Sequence, residues 1–380
     1  MKILYIANSR IPTEKAHGLQ IMKMSEAFLL QGHKVSLLIP RRENSIKDSP
    51  QVYYSLKKVP DIVYVPNVVG FLEKYFHHTY FFIQRFIFGI TACLYALKSD
   101  ADIIFSREIS VCFLLSIVGK KVVFEDHEPK KRLRFMYTFF IQKIWKKIIV
   151  PHALADLYAA HGVRKDTYII APNGVDLDQF KNILPNRNVW KELGIDPDQK
   201  IVLYIGHFYA WKGVYTLLDA FDRVTNAVLV LIGRTVPDRE KIEAYINEKN
   251  ISQTHVYPHM VHDKVIAFLK SADVLVLPNT GKEERSLMYT TPLKLFEYMA
   301  SLVPIVASDI PSFNPYIKDN KSALLYKSDD SFDLSRRLNE IIVDEIKAKK
   351  IAADAYLRVE EYTWEKRARN ILNFISVKTE

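Results

Sequence analysis

Short apolar runs recur along this chain and alternate with longer amphipathic stretches. The first run, Lys2-Ile-Leu-Tyr-Ile-Ala7, predicts a strand buried on both faces of a parallel sheet, because it lacks the polar-apolar alternation of a half-wet strand. A polar loop follows from Asn8 to Gly18. Apolar residues then return at helical spacing from Leu19 to Leu30, and Gly32 supplies the C-cap. Val35-Ser-Leu-Leu-Ile39 is the next strand, stopped by Pro40. Together these form a βαβ unit, the opening of a doubly wound domain.

The alternation continues. Strands are predicted at Asp102–Phe105, Lys121–Phe124, Ile148–Val150 and Tyr168–Ile170, ahead of the turn cluster Pro172-Asn-Gly-Val-Asp176. The polar stretch Lys181 to Pro197, with Pro185 and Pro197, reads as a linker. Beyond it, Ile201–Gly206, Ala227–Ile232, His255–Tyr257, Val274–Leu277 and Pro304–Ala307 predict a second parallel sheet. The expected fold is α/β, with two Rossmann-like doubly wound domains at residues 1–182 and 188–359 facing a central cleft, where such folds bind ligands.

Composition narrows the picture. A chain of 380 residues is long enough for two cores, and 49% hydrophobic with 25% charged residues excludes disorder. Cys93 and Cys112 have no metal-ligand spacing and no partner His cluster, and read as reduced core thiols, so zinc is not expected. The N-terminus lacks the apolar region of a signal peptide, which leads to a cytoplasmic expectation. Tyr80 to Leu97 comes nearest to a membrane span, but Gln84 and Arg85 interrupt it, and a central Arg costs about 2.5–3.5 kcal/mol on insertion. A buried or membrane-contacting helix is expected there. The net charge of +10 calls for an anionic partner. No nucleic-acid motif is present and the basic residues are not gathered on one module, so nucleic acid is not expected.

Candidate chemistry concentrates in the second half. Gly206 ends a strand, and Lys212-Gly213 stands just before the predicted helix Val214 to Phe221, where free N–H groups favour anions. Lys212 there is either a diphosphate clamp or a solvated loop lysine. Thr291-Pro-Leu-Lys-Leu-Phe-Glu297 opens another helix with Pro292 in its first turn. Lys294 and Glu297 share one face, either as an ordinary surface ion pair or as a ribose acceptor (Glu297) beside a phosphate donor (Lys294).

In order along the chain, Gly32-His-Lys-Val35, Pro172-Asn-Gly-Val-Asp176, Lys212-Gly213, Ser271-Ala-Asp-Val-Leu-Val-Leu-Pro278, Phe296-Glu-Tyr-Met-Ala300 with Pro304-Ile-Val-Ala-Ser308, and Thr363-Trp-Glu-Lys-Arg-Ala368 resemble the retaining glycosyltransferases of family 4. The resemblance covers essentially the whole chain. It implies the GT-B fold, with a C-terminal helix (360–380) returning to the N-terminal domain. It also implies transfer of a sugar from a nucleoside-diphosphate sugar, with retention and without a metal ion or other cofactor. Without a metal, Lys, Arg and backbone donors must stabilise the leaving diphosphate.

Residue by residue, the resemblance assigns Glu297 to the ribose, Lys212 to the phosphates and His127 to the donor sugar near the reaction centre; these are the catalytic candidates. The donor-binding candidates add Ala16, His17 and Gly18 in the first loop, Gly206 and His207, Tyr257, His259 and Met260 near the base, and Tyr289, Thr291, Pro292, Leu293 and Lys294. Three positions depart from the family pattern. Tyr289 replaces the first glutamate of Glu-x7-Glu, with Glu283 and Glu284 nearby; His207 stands where a phosphate arginine is expected, with Lys294 as compensation; and Gly18 alone represents the usual Gly-Gly pair near Lys15-Ala16.

On the acceptor side, the aromatic-rich Phe71 to Leu97 and the basic, aromatic Lys130 to Lys147 read as a membrane-surface element or as core helices with a solvated basic face. The resulting expectation is a peripheral protein at an anionic inner-membrane surface, with a saccharide or lipid-linked acceptor and a role in cell-surface glycan synthesis. A non-catalytic nucleotide-sugar-binding scaffold is the alternative.

Overall fold

A computed structural model describes residues 1–66, 77–129, 134–233 and 236–377. The chain divides into two compact units, Met1–Pro172 with Trp364–Glu380, and Asn173–Thr363.

The first unit is built on a seven-stranded parallel sheet of β1 (Lys2–Ile6), β2 (Lys34–Pro40), β3 (Asp61–Val65), β4 (Ile103–Ser106), β5 (Val122–Asp126), β6 (Lys146–Ile149) and β7 (Tyr168–Ile170). Its order is β3-β2-β1-β4-β5-β6-β7. The second holds a six-stranded parallel sheet of β8 (Lys200–Ile205), β9 (Ala227–Ile232), β10 (Thr254–Tyr257), β11 (Val274–Leu277), β12 (Ile305–Asp309) and β13 (Leu324–Lys327), in the order β10-β9-β8-β11-β12-β13. Both orders reverse direction about their first strand, the doubly wound arrangement. The central strands β1, β5, β9 and β11 carry near-continuous apolar runs because helices cover both faces. The two strands that the apolar pattern does not show, β3 and β13, are sheet edges. In β3 only Val65 is buried, so its sequence carries little signal.

Two sequence expectations are corrected. Residues 173–182, expected in the first domain, belong to the second unit, because Val175, Leu177 and Phe180 are buried in its core. Lys181 to Pro197 is not a spacer either. A short 3-10 helix at Arg187–Leu193 buries Trp190 completely, and its Nε1 donates to Ser271 O at 2.9 Å. One apolar anchor in a polar stretch is enough to fix the segment, since burying a large aromatic contributes a few kcal/mol.

In the first unit, helix Ala16–Leu30 packs against the closing helix Trp364–Ser376. Right-handed crossovers send helices His77–Lys98, Ile109–Ile117 and Arg134–Lys143 to the opposite sheet face, where they lie side by side. Gln84, unexpected within an apolar helix, is buried and satisfied: Arg42 Nη2 donates to its Oε1 at 2.7 Å, and its Nε2 donates to Asn8 Oδ1 at 3.1 Å. Among the described residues, no helix is long and apolar enough to cross a membrane.

Candidate active site

Parallel strands present their C-terminal ends to one side of a sheet, and loops there bind ligands. In the first unit, β5 ends in Glu125 and Asp126, both 1% exposed. A buried carboxylate is costly without partners, and Glu125 has four. Gln20 Nε2 (2.7 Å), Arg107 Nε (2.9 Å) and His127 Nε2 (2.6 Å) donate to Oε1, and Arg367 Nη2 donates to Oε2 at 2.9 Å. Burial alone would raise this carboxyl's pKa, but Arg367 and Arg107 hold it well below the ordinary range. Burial first, and then Arg107, push His127 down to about 4, outweighing Glu125. The imidazole is therefore neutral near pH 7. With its Nε2–H on Glu125, its Nδ1 is an acceptor suited to a sugar hydroxyl. Burial, Arg107, Lys15, His127 and Arg42 likewise lower His17 to about 4. Ala16, His17 and Gly18 form the first turn of helix Ala16–Leu30, which no side chain caps. Gly18 serves packing: a Cβ there would lie 2.4 Å from Thr13 Cγ2 and 2.5 Å from the Tyr54 hydroxyl.

In the second unit, β8 leads through Gly206 into a loop whose aromatic rings stack at alternate positions. His207 and Tyr209 lie 4.9 Å apart at 7°, and Tyr209 and Trp211 6.3 Å apart at 18°. Lys212 Nζ sits 4.1 Å from the Trp211 ring centroid and Arg285 Cζ 5.3 Å from it. Burial, then Arg285, lower Lys212 to about 7. Gly213 has φ +71°, and a Cβ there would lie 1.7 Å from Pro278 O, so only glycine can join this loop to helix Val214–Phe221. No side chain caps that helix, which leaves its first N–H groups beside Lys212.

Helix Leu293–Ala300 follows Pro292 and is also without a side-chain cap. Glu297 is 4% exposed; Lys294 Nζ donates to Oε2 at 2.6 Å and His262 Nε2 to Oε1 at 3.1 Å. Burial opposes ionisation here too, but Lys294 and His262 lower the carboxyl to about 2. Each oxygen keeps acceptor capacity beyond one bond. Of the two sequence readings of Lys294, the ion pair with Glu297 is the one formed here. Two ties fix this segment: Asn173 Nδ2 donates to Thr291 O at 2.8 Å, and Ile205 N–H donates to the Tyr298 hydroxyl at 2.9 Å. Asn173 of the Pro172-Asn-Gly-Val-Asp176 motif thus supports the candidate site.

Of the other sequence candidates, Leu293 is buried, while Tyr289 closes the short helix Glu284–Tyr289. Tyr257 directs its hydroxyl to Leu193 O at 2.6 Å, anchoring the segment before β8. Met260 packs on the core margin, and His259 lies in the loop after β10. Sequence reasoning missed Glu125, Arg107, Arg367, His262 and Arg285. Only Glu125 left a signal, as a charged residue ending an apolar strand.

Two Rossmann-like parallel-sheet domains are the architecture of the GT-B fold. Residues 186–358 match the family described as Glycosyl transferases group 1, and residues 18–179 match Glycosyltransferase Family 4. The chain belongs to the family 4 glycosyltransferases. A phosphatidyl-myo-inositol mannosyltransferase of Mycobacterium leprae is 28% identical over 60% of this chain and 59% of its own length. The chain spans only 51–59% of the first relatives it matches. Among solved structures, sucrose-phosphate synthase from Thermosynechococcus elongatus is 17% identical with a TM-score of 0.78, covering 99% of this chain and 98% of that one. Anabaena HepE, in complex with UDP and glucose, is 14% identical with a TM-score of 0.75, covering 100% of both chains. At these identities the structures share the fold.

Proposed function

We propose that this protein is a retaining, metal-independent glycosyltransferase that moves a hexosyl group from a nucleoside-diphosphate sugar to a saccharide or lipid-linked acceptor in cell-surface glycan synthesis. The observation that carries the reading is Lys212. It is a cation with no carboxylate in salt-bridge range among the described residues, next to the uncapped N-terminus of helix Val214–Phe221. That arrangement suits a phosphate. Family membership and the complex of a GT-B neighbour with UDP and glucose support the same reading.

The roles follow from the chemistry of each group. Lys212 and the helix N–H groups neutralise charge that grows on the leaving diphosphate, which is where a donor lowers the barrier most. Glu297, ionised and held by Lys294 and His262, accepts the ribose hydroxyls. Neutral His127, oriented by Glu125, accepts a hydroxyl of the donor sugar. The C1–O bond to the diphosphate breaks as the acceptor oxygen bonds C1 on the same face, and the acceptor proton leaves with the diphosphate oxygen.

For the acceptor side, the three helices on one face of the first sheet expose an apolar stripe: Phe86 (66%), Ile90 (45%), Leu94 (55%) and Leu97 on the first, with Ile117 and Phe139 on its neighbours. Lys98, at the end of the first helix, is exposed, as are Lys121 and Lys143, and Lys143 Nζ lies 5.9 Å from the Phe139 ring centroid. Residues 130–133, the basic start of the sequence's membrane candidate, lie outside the described residues. Exposed apolar side chains together with exposed lysines suit an anionic lipid surface and support a peripheral protein on the inner face of the cytoplasmic membrane.

Thermal-shift binding of the full chain to UDP, GDP and ADP, and to their sugars, tests the proposal. A selective rise with one diphosphate, near 2.7 kcal/mol at about 100 times Kd, is expected. Release of free nucleotide from the matching donor with an acceptor present establishes turnover. Binding without turnover leaves a scaffold, and no binding removes the donor pocket.

A further inference from the structure

The end of β5 is held from both faces of its sheet. Successive side chains on a strand turn to opposite faces, so Glu125 and Asp126 look opposite ways. Glu125 meets Gln20 of helix Ala16–Leu30 and Arg367 of the closing helix. Asp126, equally buried, meets the helices that follow β5 and β6. Tyr137 of helix Arg134–Lys143 and Tyr158 of helix Ala153–Ala160 both donate their hydroxyls to its Oδ2, Tyr158 at 2.9 Å. A buried carboxylate that accepts two buried phenols is an expensive element. The sheet does not need it for pairing, because the backbone ladder continues past it, with Val150 N–H donating to Asp126 O at 2.9 Å.

The two phenols stand differently in the chain. Tyr158 lies beyond β6 and has a seat of its own, edge-on to Tyr168 at 5.2 Å and 77°. Tyr137 comes 11 residues after Asp126. Its hydrogen bond ties the helix at the far end of the β5 connection to the root of that connection, and His127 is the first residue after that root. Apolar contacts also seat this helix: Phe140 stacks on Phe113 at 4.2 Å and 24°, and Ile141 is buried. Such contacts are non-directional and leave rotation and slide cheap. A hydrogen bond to a buried ion is directional and removes that freedom. Burial, then Asp126, push the Tyr137 hydroxyl up, so it stays protonated and remains the donor. Phenylalanine at 137 would fill nearly the same volume, so packing alone gives no reason for the hydroxyl.

We propose that Tyr137 is a positioning residue for His127: its hydroxyl, clasped to Asp126, closes the β5 connection on itself and fixes the backbone from which the imidazole projects. Glu125 sets the orientation of the ring, and Tyr137 sets where the ring stands. The functional side of this rests on the role of His127 at the donor sugar, whereas the placement of the ring is measurable without any substrate.

NMR titration of the 15N-histidine-labelled full chain reads that placement, with the His127 signal identified by its loss in His127→Ala. Burial keeps His127 near 4. In Tyr137→Phe a loosened ring meets more water, and its midpoint should rise by about one pH unit or more. Tyr158→Phe should leave it in place. Turnover is read as hydrolytic release of nucleotide from whichever UDP-, GDP- or ADP-sugar the chain binds. Tyr137→Phe should lower kcat about 10-fold and leave the donor KM within about 2-fold. Tyr158→Phe should keep kcat within about 2-fold even where its unfolding midpoint falls as far. Added to His127→Ala, Tyr137→Phe should lower kcat no further, because a positioning residue acts only through its target.

An unmoved His127 midpoint in Tyr137→Phe overturns the proposal. Equal kcat losses in Tyr137→Phe and Tyr158→Phe, or losses that add to that of His127→Ala, also overturn it by making the clasp merely architectural. So does a Tyr137→Phe chain that does not fold. A shifted midpoint combined with turnover indifferent to His127→Ala is a different failure: the clasp stands, and His127 leaves the reaction.

Discussion

His127 donates its Nε2–H to Glu125 at 2.6 Å, and the same carboxylate is gripped from the closing helix by Arg367 at 2.9 Å. The residue proposed to meet the donor sugar is therefore oriented by a buried carboxylate anchored at the other end of the chain. Removing the carboxylate strands two cations, since the Arg367 side chain is 3% exposed and that of Arg107 17%. Glu125→Ala should destabilise the protein by about 3–5 kcal/mol, the usual cost of breaking a buried ion pair from one side. Urea unfolding measures it, and a loss below about 1 kcal/mol would show that the cluster carries little.

Acid sensitivity should come in two stages. The folded pKa values of His127 and His17 are lowered from 6.5 to about 4, so folding favours their neutral forms. The unfolded chain protonates first, and this stability is whole above pH 6.5 and declines as pH falls toward 4. Glu297 is lowered from 4.5 to about 2. Its contribution, about 3 kcal/mol, is whole above pH 4.5 and is lost as pH falls toward 2. Urea midpoints at pH 7.5, 6, 5 and 4 should fall progressively, and His127→Ala should flatten the first stage. A constant midpoint from pH 7.5 to 5 contradicts this account.

Nucleotide affinity should depend on Lys212 and on pH in the opposite direction. Lys212 is lowered from 10.5 to about 7, so the free protein loses this charge as pH rises through 7. Diphosphate binding should weaken between pH 7 and 9 by calorimetry. Lys212→Ala should cost about 10–100-fold at pH 6.5. Lys212→Arg, which stays charged, should bind with little pH dependence. A pH-independent Kd in the parent would remove Lys212 from the phosphates.

The exposed stripe on helix His77–Lys98 offers a separation of binding from folding. Leu94 is 55% exposed and Ile90 45%, so replacing both with Glu should change stability by no more than about 0.5 kcal/mol per site. Sedimentation with anionic vesicles at low salt should fall several-fold. Undiminished sedimentation would show that this face does not meet lipid.

The sequence alone determined the local order of this protein. Continuous apolar runs located the central strands, which are buried from both sides, and Gly213, the helix Val214–Phe221 and the Lys294–Glu297 spacing were readable because turn geometry and helical period are properties of neighbouring residues. Edge strand β3 escaped because only Val65 of it is buried, and β13 escaped although three of its four residues are buried, because so short a run leaves no periodicity to read. Tertiary structure alone decided the electrostatics. It brought Gln20, Arg107 and Arg367 to Glu125 across separations of 105, 18 and 242 residues, and set Arg285 against Trp211. It also tied Trp190 of a polar stretch into the second core. Periodicity records which side of an element is dry; which charges share that dryness depends on the contacts the folded chain makes, and desolvation then fixes how strongly they act.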